Sequence, residues 1–443
     1  MATGIPKNKW TSDEPRTKHD LRSDVMLDVN LAYEGKLPYE QVVGTPKAKI
    51  LQLNEASNQQ ENSLYYGDNL SVMAALLDND EIRGKVRLVY IDPPFATNSV
   101  FQSRTQNDAY CDLLVGAHYI EFLRRRLILI RELLADDGSI YVHLDDNMAF
   151  HIKVIMDEIF GRANFRNWIT RKKCNPKNYT RNTYGNVSDY ILFYSKSNDY
   201  VWNRAYEQWT VERAEKEYQY IEEGTGRRYK KVPVHAPGTR NGETGKTWNG
   251  MLPPPGKHWQ YKPATLDEMD ARGEIYWSPN GNPRRKVYLD QSEGIPVQDI
   301  WMDFRDAHNQ NIKITGYPTE KNSDMLARII SASSNPGDLI LDCFSGSGTT
   351  LSVGGLLGRK WIGIDNSKEA IYTSLRRFSK GLERMGDFVS KKDGPKSNVT
   401  IRLFEDNQEV APEPLADKKL TTIGLYATKP YQGDLDLIME EVF

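Results

Sequence analysis

The chain has 443 residues, of which 39% are hydrophobic and 27% are charged, an ordinary composition for a soluble protein with a sizeable core. Its net charge is −2, and no apolar run approaches the roughly 20 residues that a membrane span needs. The polar first 20 residues and three widely spaced cysteines favour a cytoplasmic protein, and argue against secretion, a membrane location and a zinc site.

The first half of the chain alternates strand and helix patterns, which predicts an α/β protein with a parallel sheet. A short strand is expected to end at Gly67-Asp68, followed by a helix over about 70–77 that Asn69 caps. A second helix is predicted over 118–134, where apolar residues recur every three or four positions. The arginine run 124–126 within it is interpreted as the solvated face of that helix.

Between these helices, the apolar run Val86–Ile91 predicts a buried parallel strand that ends at Asp92, Pro93, Pro94 and Phe95. The two prolines fix their own φ angles and lack N–H groups, so the turn is stiff. Ligands of open α/β sheets bind beyond the carboxyl ends of the strands. A carboxylate, free carbonyls and an aromatic ring at that point suit a planar molecule with an exocyclic amine, which makes these four residues the catalytic candidates. A plain surface turn is the alternative when the short motif is taken alone.

Residues 161–260 carry 18 Lys and Arg against 9 Asp and Glu, with many tryptophans and tyrosines among them. This combination is typical of a nucleic-acid surface, because cations contact phosphates and flat rings contact bases. On composition alone, a loop-rich domain with a solvated positive face is a nearly equal alternative. The first part of the segment is expected to belong to the sheet, since 189–194 has the pattern of a strand.

Further along, a strand, a glycine-rich turn, a helix and a second strand run from Pro336 to Asp365. Gly346 and Gly348 let the backbone approach a ligand, and Asp365 can accept hydrogen bonds from ribose hydroxyls. A P-loop is disfavoured because its lysine is missing, and a dinucleotide site lacks its third glycine. S-adenosylmethionine, which has a ribose but no phosphate, fits better. A helix cap is the alternative role of Asp365, and for Asp68 a cap and a cofactor contact are equally supported.

The two turns together predict direct methyl transfer to an exocyclic amine. The carboxylate of Asp92 and the carbonyl of Pro93 would accept the protons of the amine and direct its lone pair at the methyl group. A base within a duplex cannot reach such a pocket, so it must be flipped out, and Phe95 would stack on it.

These residues resemble the amino-methyltransferases of DNA, whose catalytic motif is Asp/Asn/Ser-Pro-Pro-Tyr/Phe/Trp and whose cofactor motif is Phe-x-Gly-x-Gly. Here the motifs stand at residues 92–95 and 344–348. The catalytic motif comes first, with the basic insert between, an order that resembles the β group of that family. Further stretches, such as Tyr-Gly-Asp-Asn at 66–69 and Tyr-Pro-Thr-Glu-Lys at 317–321, are similar to modification subunits of type III restriction systems and their solitary relatives.

The resemblance implies a class I methyltransferase fold with a seven-stranded, mostly parallel sheet, one antiparallel strand and circularly permuted motifs. It implies N6-adenine methylation of double-stranded DNA by a prokaryotic or phage homodimer, with or without a restriction or other defence subunit. The implied cofactor contacts are Asp68, Thr319, Lys321, Asp342, Phe344, Gly346, Gly348, Thr349 and Asp365. The implied segments are an N-terminal arm (1–60), a catalytic half (61–164), a target recognition domain (165–305), a cofactor-binding half (306–385) and a tail (386–443).

Adenine is favoured over cytosine because the N4-cytosine enzymes of the family carry serine at the position of Asp92. A recognition subunit without activity, and an enzyme that methylates RNA or protein, are competing interpretations. The chain departs from the family pattern in having Asn322 rather than proline after Lys321, and Cys343 where proline is common. It is also shorter than expected for a type III subunit, which leaves open whether it acts with a restriction partner.

Overall fold

The computed structural model describes residues 29–54, 62–94, 100–102, 108–111, 116–175, 182–304, 320–380 and 423–442. The helices are α1 (Tyr39–Val43), α2 (Asn69–Leu76), α3 (Ala117–Leu133), α4 (Ala149–Phe160), α5 (Val211–Glu217), α6 (Pro263–Ala271), α7 (Ser323–Ser333), α8 (Thr349–Leu356), α9 (Lys368–Lys380) and α10 (Gln432–Val442). Within the described ranges, none of them is long and apolar enough to cross a membrane.

The strands belong to one large sheet and several small ones. They are β1 (Ile50–Gln52), β2 (Asn62–Tyr66), β3 (Val86–Ile91), β4 (Val100–Gln102), β5 (Asp108–Cys111), β6 (Leu134–Leu144), β7 (Phe165–Lys172), β8 (Ser188–Ser195), β9 (Tyr206–Glu207), β10 (Tyr220–Ile221), β11 (Arg228–Pro233), β12 (His235–Pro237), β13 (Lys257–Trp259), β14 (Ile275–Trp277), β15 (Pro283–Tyr288), β16 (Ile295–Pro296), β17 (Ile300–Trp301), β18 (Leu339–Asp342), β19 (Lys360–Asp365) and β20 (Ile423–Thr428).

The large sheet has ten strands in the order β1-β20-β2-β19-β18-β3-β6-β8-β7-β17. Its seven central strands, from β2 to β7 in that order, are parallel except for β8, which runs antiparallel to both of its neighbours. This arrangement confirms the predicted α/β methyltransferase fold with one antiparallel strand. Three further strands extend the edges, β20 and β1 on one side and β17 on the other.

Two hydrophobic layers enclose the sheet because successive strand side chains point to opposite faces. On one face, Val89 and Ile91 of β3 pack with apolar residues of α2, α3 and α4. On the other face, Leu88 and Tyr90 pack with apolar residues of α7, α8, α9 and α10. Burial on both faces explains why the strand pattern is continuously apolar rather than alternating.

Two of the edge strands, β1 and β20, come from the chain segments predicted to be an N-terminal arm and a tail. Residues 50–52 of the arm pair antiparallel with residues 423–428 of the tail. The tail strand in turn runs parallel to β2 and contributes Leu425 and Ala427 to the buried layer. The interpretation of these segments as an arm and a tail is therefore corrected for the described residues, which are structural parts of the sheet.

The basic insert begins with strands of the large sheet and then forms a unit of its own. Strands β7, β8 and β17 are in the large sheet, whereas β10, β11, β15 and β14 form a separate four-stranded antiparallel sheet. That unit has its own small core, which includes Trp248, Trp259 and Leu266. The prediction that 189–194 is a strand of the large sheet is confirmed by β8.

Candidate functional site

Four neighbouring parallel strands end at one rim of the sheet and bring the predicted site residues together. The strands lie in the order β2, β19, β18 and β3. Asp68 follows β2, and Asp365 is the last residue of β19. Asp342 is the last residue of β18 and precedes the glycine-rich turn, and Asp92 follows β3. The two turns on which the sequence analysis depends therefore lie side by side, because β18 and β3 are hydrogen-bonded neighbours. Phe95 and Thr319 lie outside the described residues.

The two carboxylate oxygens of Asp92 are in different environments. Lys321 places its Nζ 2.7 Å from Oδ2, and both side chains are largely buried. The other oxygen, Oδ1, is buried and has no hydrogen-bond partner among the described residues. Pro93 is buried beside it, so the stiff turn fixes the carboxylate at the strand end. One oxygen is thus held by a cation, and the other can accept a hydrogen bond from a ligand.

The glycine-rich turn is held by hydrogen bonds to its backbone. The carboxylate of Asp365 accepts the N–H of Gly346 at 2.8 Å and that of Ser367 at 2.9 Å. The Ser374 hydroxyl donates to the carbonyl of Gly346 at 2.9 Å. Gly348 has a φ of 72°, and a Cβ there would lie 2.7 Å from the Ser374 oxygen. Both the conformation and the available space therefore require glycine at position 348.

Of the two acids beside this turn, Asp342 is buried and Asp365 is half-buried, and neither has a cation partner among the described residues. Asp342 accepts the N–H of Phe344 at 3.0 Å, and burial raises its pKa to about 7. Burial also raises the pKa of Asp365. Within the described part of the chain, neither carboxyl group has an ion-pair partner. Thr349, another predicted contact, is buried at the start of α8 next to the turn. Carboxyls without a counter-ion favour a ligand with hydroxyl groups and positive charge, and S-adenosylmethionine has both.

Asp68 caps α2, which confirms the cap as one of its two predicted roles, whereas the cap predicted at Asn69 is wrong. Its carboxylate accepts the N–H of Ser71 at 3.1 Å and pairs with Arg126 at 2.9 Å. Asn69 is the first residue of the helix, and its side chain bonds Arg126 and the carbonyl of Cys343. Asn69 does not cap the helix because its side chain donates to the carbonyl of Cys343, directly after β18, and accepts from Arg126 instead of accepting a helix N–H group.

The prediction that arginines 124–126 form a solvated face was wrong. Arg124 and Arg126 are 7% and 6% exposed. The guanidinium of Arg126 lies 3.6 Å from the ring centre of Phe122, and Phe122 in turn packs near Phe344 of the cofactor turn. A cavity of about 760 Å³ opens here, lined by Asp68, Phe122, Arg125, Arg126 and Glu34 among others. The arginine run therefore forms part of the wall beside the candidate cofactor site.

A buried polar network that was not predicted from the sequence lies behind the turn formed by Asp92, Pro93 and Pro94. The hydroxyl of Tyr90, on the strand that ends at Asp92, is 2.8 Å from Nδ1 of His143. Nε2 of His143 lies 2.9 Å from Asp189, which also binds Arg171 through two nitrogens. Although burial raises the pKa of Asp189, His143 and Arg171 hold it well below its usual range. The network could have been predicted from the sequence, because Tyr90, His143 and Asp189 are polar residues within otherwise apolar strands.

The sheet and its paired turns define a class of α/β proteins in which a glycine-rich turn adjoins an Asp-Pro-Pro turn at the carboxyl ends of two neighbouring strands. Within that class, the DNA methylase profile of N6 and N4 methyltransferases matches residues 86–376. The chain is 46% identical over 417 residues to the type II methyltransferase M.EcaI of Enterobacter cloacae, covering 91% of both chains. It therefore belongs to the DNA methylase family, and it is a DNA methyltransferase.

The chain is also similar, at lower identity, to a type III Mod subunit and to a solved structure. The chain is 28% identical over 333 residues to the StyLTI Mod subunit of a type III restriction-modification enzyme of Salmonella typhimurium, covering 67% of this chain and 50% of that one. Among solved structures, the M1.HpyAVI–SAM complex covers 71% of this chain and 98% of its own at 16% identity and a TM-score of 0.38. The chain thus spans about half the length of the type III subunit and nearly all of M.EcaI.

Proposed function

We propose that this protein transfers a methyl group from S-adenosylmethionine to the N6 amine of an adenine flipped out of double-stranded DNA. The observation that carries the proposal is the state of Asp92. One of its oxygens is fixed by Lys321 and the other is buried without a partner among the described residues, next to the glycine-rich turn. A buried acceptor in need of a donor is what an exocyclic N–H would satisfy.

On the acceptor side, the chain orients the amine rather than reacting with it. Oδ1 of Asp92 accepts one N–H of the amine, and the carbonyl of Pro93 accepts the other. The ammonium of Lys321 holds the carboxylate in place, because moving it would separate a largely buried ion pair. With both protons held, the nitrogen lone pair is directed across the rim toward β18. Phe95 is proposed to stack on the extruded base.

On the cofactor side, the residues beside β18 and β19 hold the methyl donor. When bound, S-adenosylmethionine would supply a methyl group whose carbon–sulfur bond breaks as the carbon–nitrogen bond forms; the sulfur would leave as a neutral thioether, and the surplus amine proton would pass to solvent by way of Oδ1 of Asp92. Asp365 accepts ribose hydroxyls, Gly346 and Gly348 allow close approach of the backbone, and Phe344 shields the ligand from water. The carboxyls of Asp342 and Asp365 balance its positive charge. Asp68, Thr319, Lys321 and Thr349 complete the proposed contacts.

The basic insert, at about residues 165–305, is the proposed target recognition domain. The protein is also proposed to act as a homodimer.

The relatives of this protein include a type II methyltransferase and type III Mod subunits. A role as the modification enzyme of a restriction-modification or phage-defence system follows from them.

Mass spectrometry of nucleosides tests the product directly. Duplex DNA from a host that lacks methylation is incubated with the purified protein and S-adenosylmethionine, then hydrolysed. We expect N6-methyladenine from duplex DNA, and none from RNA of the same sequence. Formation of N4-methylcytosine would overturn the assigned base, and methylation of RNA alone would overturn the assigned substrate. Sequencing of the methylated DNA by single-molecule kinetics reports the recognition site in the same sample.

A further inference from the structure

A buried ion pair joins α9 to the three residues that precede α7. The guanidinium of Arg377 binds the carboxylate of Glu320, and each side chain is only 3% exposed. Removing two charges from water costs several kcal/mol per ion unless further hydrogen bonds are made. Arg377 belongs to none of the sequence motifs, although it falls on the buried face of α9 with Ala370, Ile371 and Leu375.

The same guanidinium also binds the cofactor turn. Its Nη2 lies 3.3 Å from the hydroxyl oxygen of Ser347 and 3.1 Å from that of Thr349, and these two oxygens lie 3.1 Å apart. Ser347 stands between the two glycines of the turn, and Thr349 is the first residue of α8. One side chain therefore connects the turn to Glu320.

The residues that follow Glu320 continue the connection to the catalytic turn. Lys321 pairs with Asp92 at 2.7 Å, and the side chain of Asn322 caps α7 by accepting the N–H groups of Asp324 and Met325. The departure from the family pattern at position 322 is thereby explained, because asparagine supplies a helix cap that proline cannot. Each of three consecutive residues is anchored to a different element, so a shift of Glu320 moves Lys321 with it.

We propose that Arg377 is a positioning residue that sets the distance between the cofactor turn and Asp92. It acts through Glu320 and Lys321 and contacts neither the methyl donor nor the base. In-line displacement is sensitive to such a distance, since a misplacement of about 1 Å can cost roughly 100-fold in rate. This inference rests on the proposed function, because it takes Asp92 as the acceptor of the target amine.

A double-mutant cycle tests whether the bridge acts as one unit. Glu320→Gln removes the charge on one side of Arg377, and Ser347→Ala removes a hydroxyl on the other side. We expect each variant to slow single-turnover methyl transfer by roughly tenfold, the cost of a hydrogen bond to a charged group. The affinities for S-adenosylmethionine and for DNA should each change less than about threefold, since no ligand contact is lost.

The double variant decides the question, because Glu320 and Ser347 are linked through Arg377. If the bridge transmits position, the double variant is no slower than the slower single variant. Rate losses that multiply would overturn the proposal, as would losses that appear only in ligand affinity. Arg377→Lys supplies a second reading, because Nη2 alone contacts Glu320 and both hydroxyls, and the Nζ of a lysine lies one bond closer to the backbone and cannot reach the same point. It should slow transfer as much as Ser347→Ala, and a normal rate would also overturn the proposal.

Arg359→Lys is the matched control. Arg359 is 8% exposed and donates to the carbonyls of Ser334 and Leu357. Neither of these residues belongs to the glycine-rich turn. The substitution should lower the melting temperature and leave the transfer rate of the folded enzyme unchanged. If the wild-type protein methylates DNA and the cycle is additive, only the positioning role fails. If the wild-type protein methylates no DNA, the proposed function itself fails.

Discussion

Beside the glycine-rich turn, buried Asp342 and half-buried Asp365 have no cation partner among the described residues, whereas Asp92 and Asp189, on the proposed acceptor side, each pair with a basic side chain. Burial raises the pKa of the first two, and the cations around Asp189 lower its pKa. Of two adjacent parts of one sheet rim, one therefore carries acids without cation partners, and the other carries acids that are balanced by cations.

The difference matches the charges of the two ligands that we propose. A buried carboxylate needs a positive partner, which the protein supplies on one side and leaves to the ligand on the other. S-adenosylmethionine brings positive charge to the side that lacks it. An adenine is neutral, so the side that receives it must already be balanced. The rim is thus pre-organised for one charged and one neutral ligand.

The largest expected effect is at Asp92, because it is the only carboxylate among the described residues of the turn, 92–94, and is therefore the group expected to orient the amine. Asp92→Ala should lower the single-turnover rate by roughly 1,000-fold, because the amine loses the group that orients it. Binding of S-adenosylmethionine, measured by calorimetry, should remain. A variant that still transferred methyl groups at an ordinary rate would contradict the catalytic assignment. Asp80→Ala, on an exposed turn, is the control.

Replacing Lys321 tests whether its positive charge is what Asp92 requires. Lys321→Met leaves the carboxylate of Asp92 largely buried without that partner and should slow transfer by roughly 30-fold. Lys321→Arg keeps the charge and should lose less. Equal losses for the two variants would show that the shape of lysine, rather than its charge, is what Asp92 requires. Single-turnover rates at saturating ligands make the comparison.

Because Asp342 has no cation partner among the described residues, the free energy of unfolding should depend on pH. The pKa of Asp342 in the folded protein is about 7, above that in the unfolded chain, so its favourable contribution is present at low pH and lost as the pH rises through 7. Asp342→Asn should therefore gain stability relative to wild type between pH 5 and pH 8, by about 2 kcal/mol.

Asp189→Asn is the opposite case, because the pKa of Asp189 is held far below this range. Its loss of stability should be nearly the same at pH 5 and pH 8. Thermal unfolding without ligand measures both variants. A pH-independent difference between Asp342→Asn and wild type would remove the argument that Asp342 is buried without compensation.

The smallest expected effect is on cofactor affinity at Asp365. Asp365→Asn leaves one acceptor oxygen for the two N–H groups of Gly346 and Ser367 and removes a negative charge. The dissociation constant of S-adenosylmethionine should rise about tenfold, while that of DNA stays unchanged. Glu369→Gln, in the first turn of α9, should alter neither constant. Calorimetric titration separates the outcomes, and weaker DNA binding would place Asp365 on the wrong ligand.

Local sequence patterns predicted most of the central sheet, because they report which residues face a core. The apolar run at 86–91, the helix that begins at Ala117 and the strand that ends at Asp342 were all apparent. Arg124 and Arg126 were wrongly placed in solvent because periodicity records polarity alone. A guanidinium that binds Asp68 or packs on Phe122 satisfies its charge inside the protein, which a helical pattern does not show.

The sequence by itself determined the two turns and their chemistry, since proline and glycine act on the backbone where they stand. Only the tertiary structure decided that Lys321 holds Asp92, that Arg377 joins Glu320 to Ser347, and that the end of the chain supplies a strand to the sheet. The reason is physical. Backbone preferences are local, whereas an ion pair or a strand pairing depends on which distant segments the packed core brings within a few ångströms.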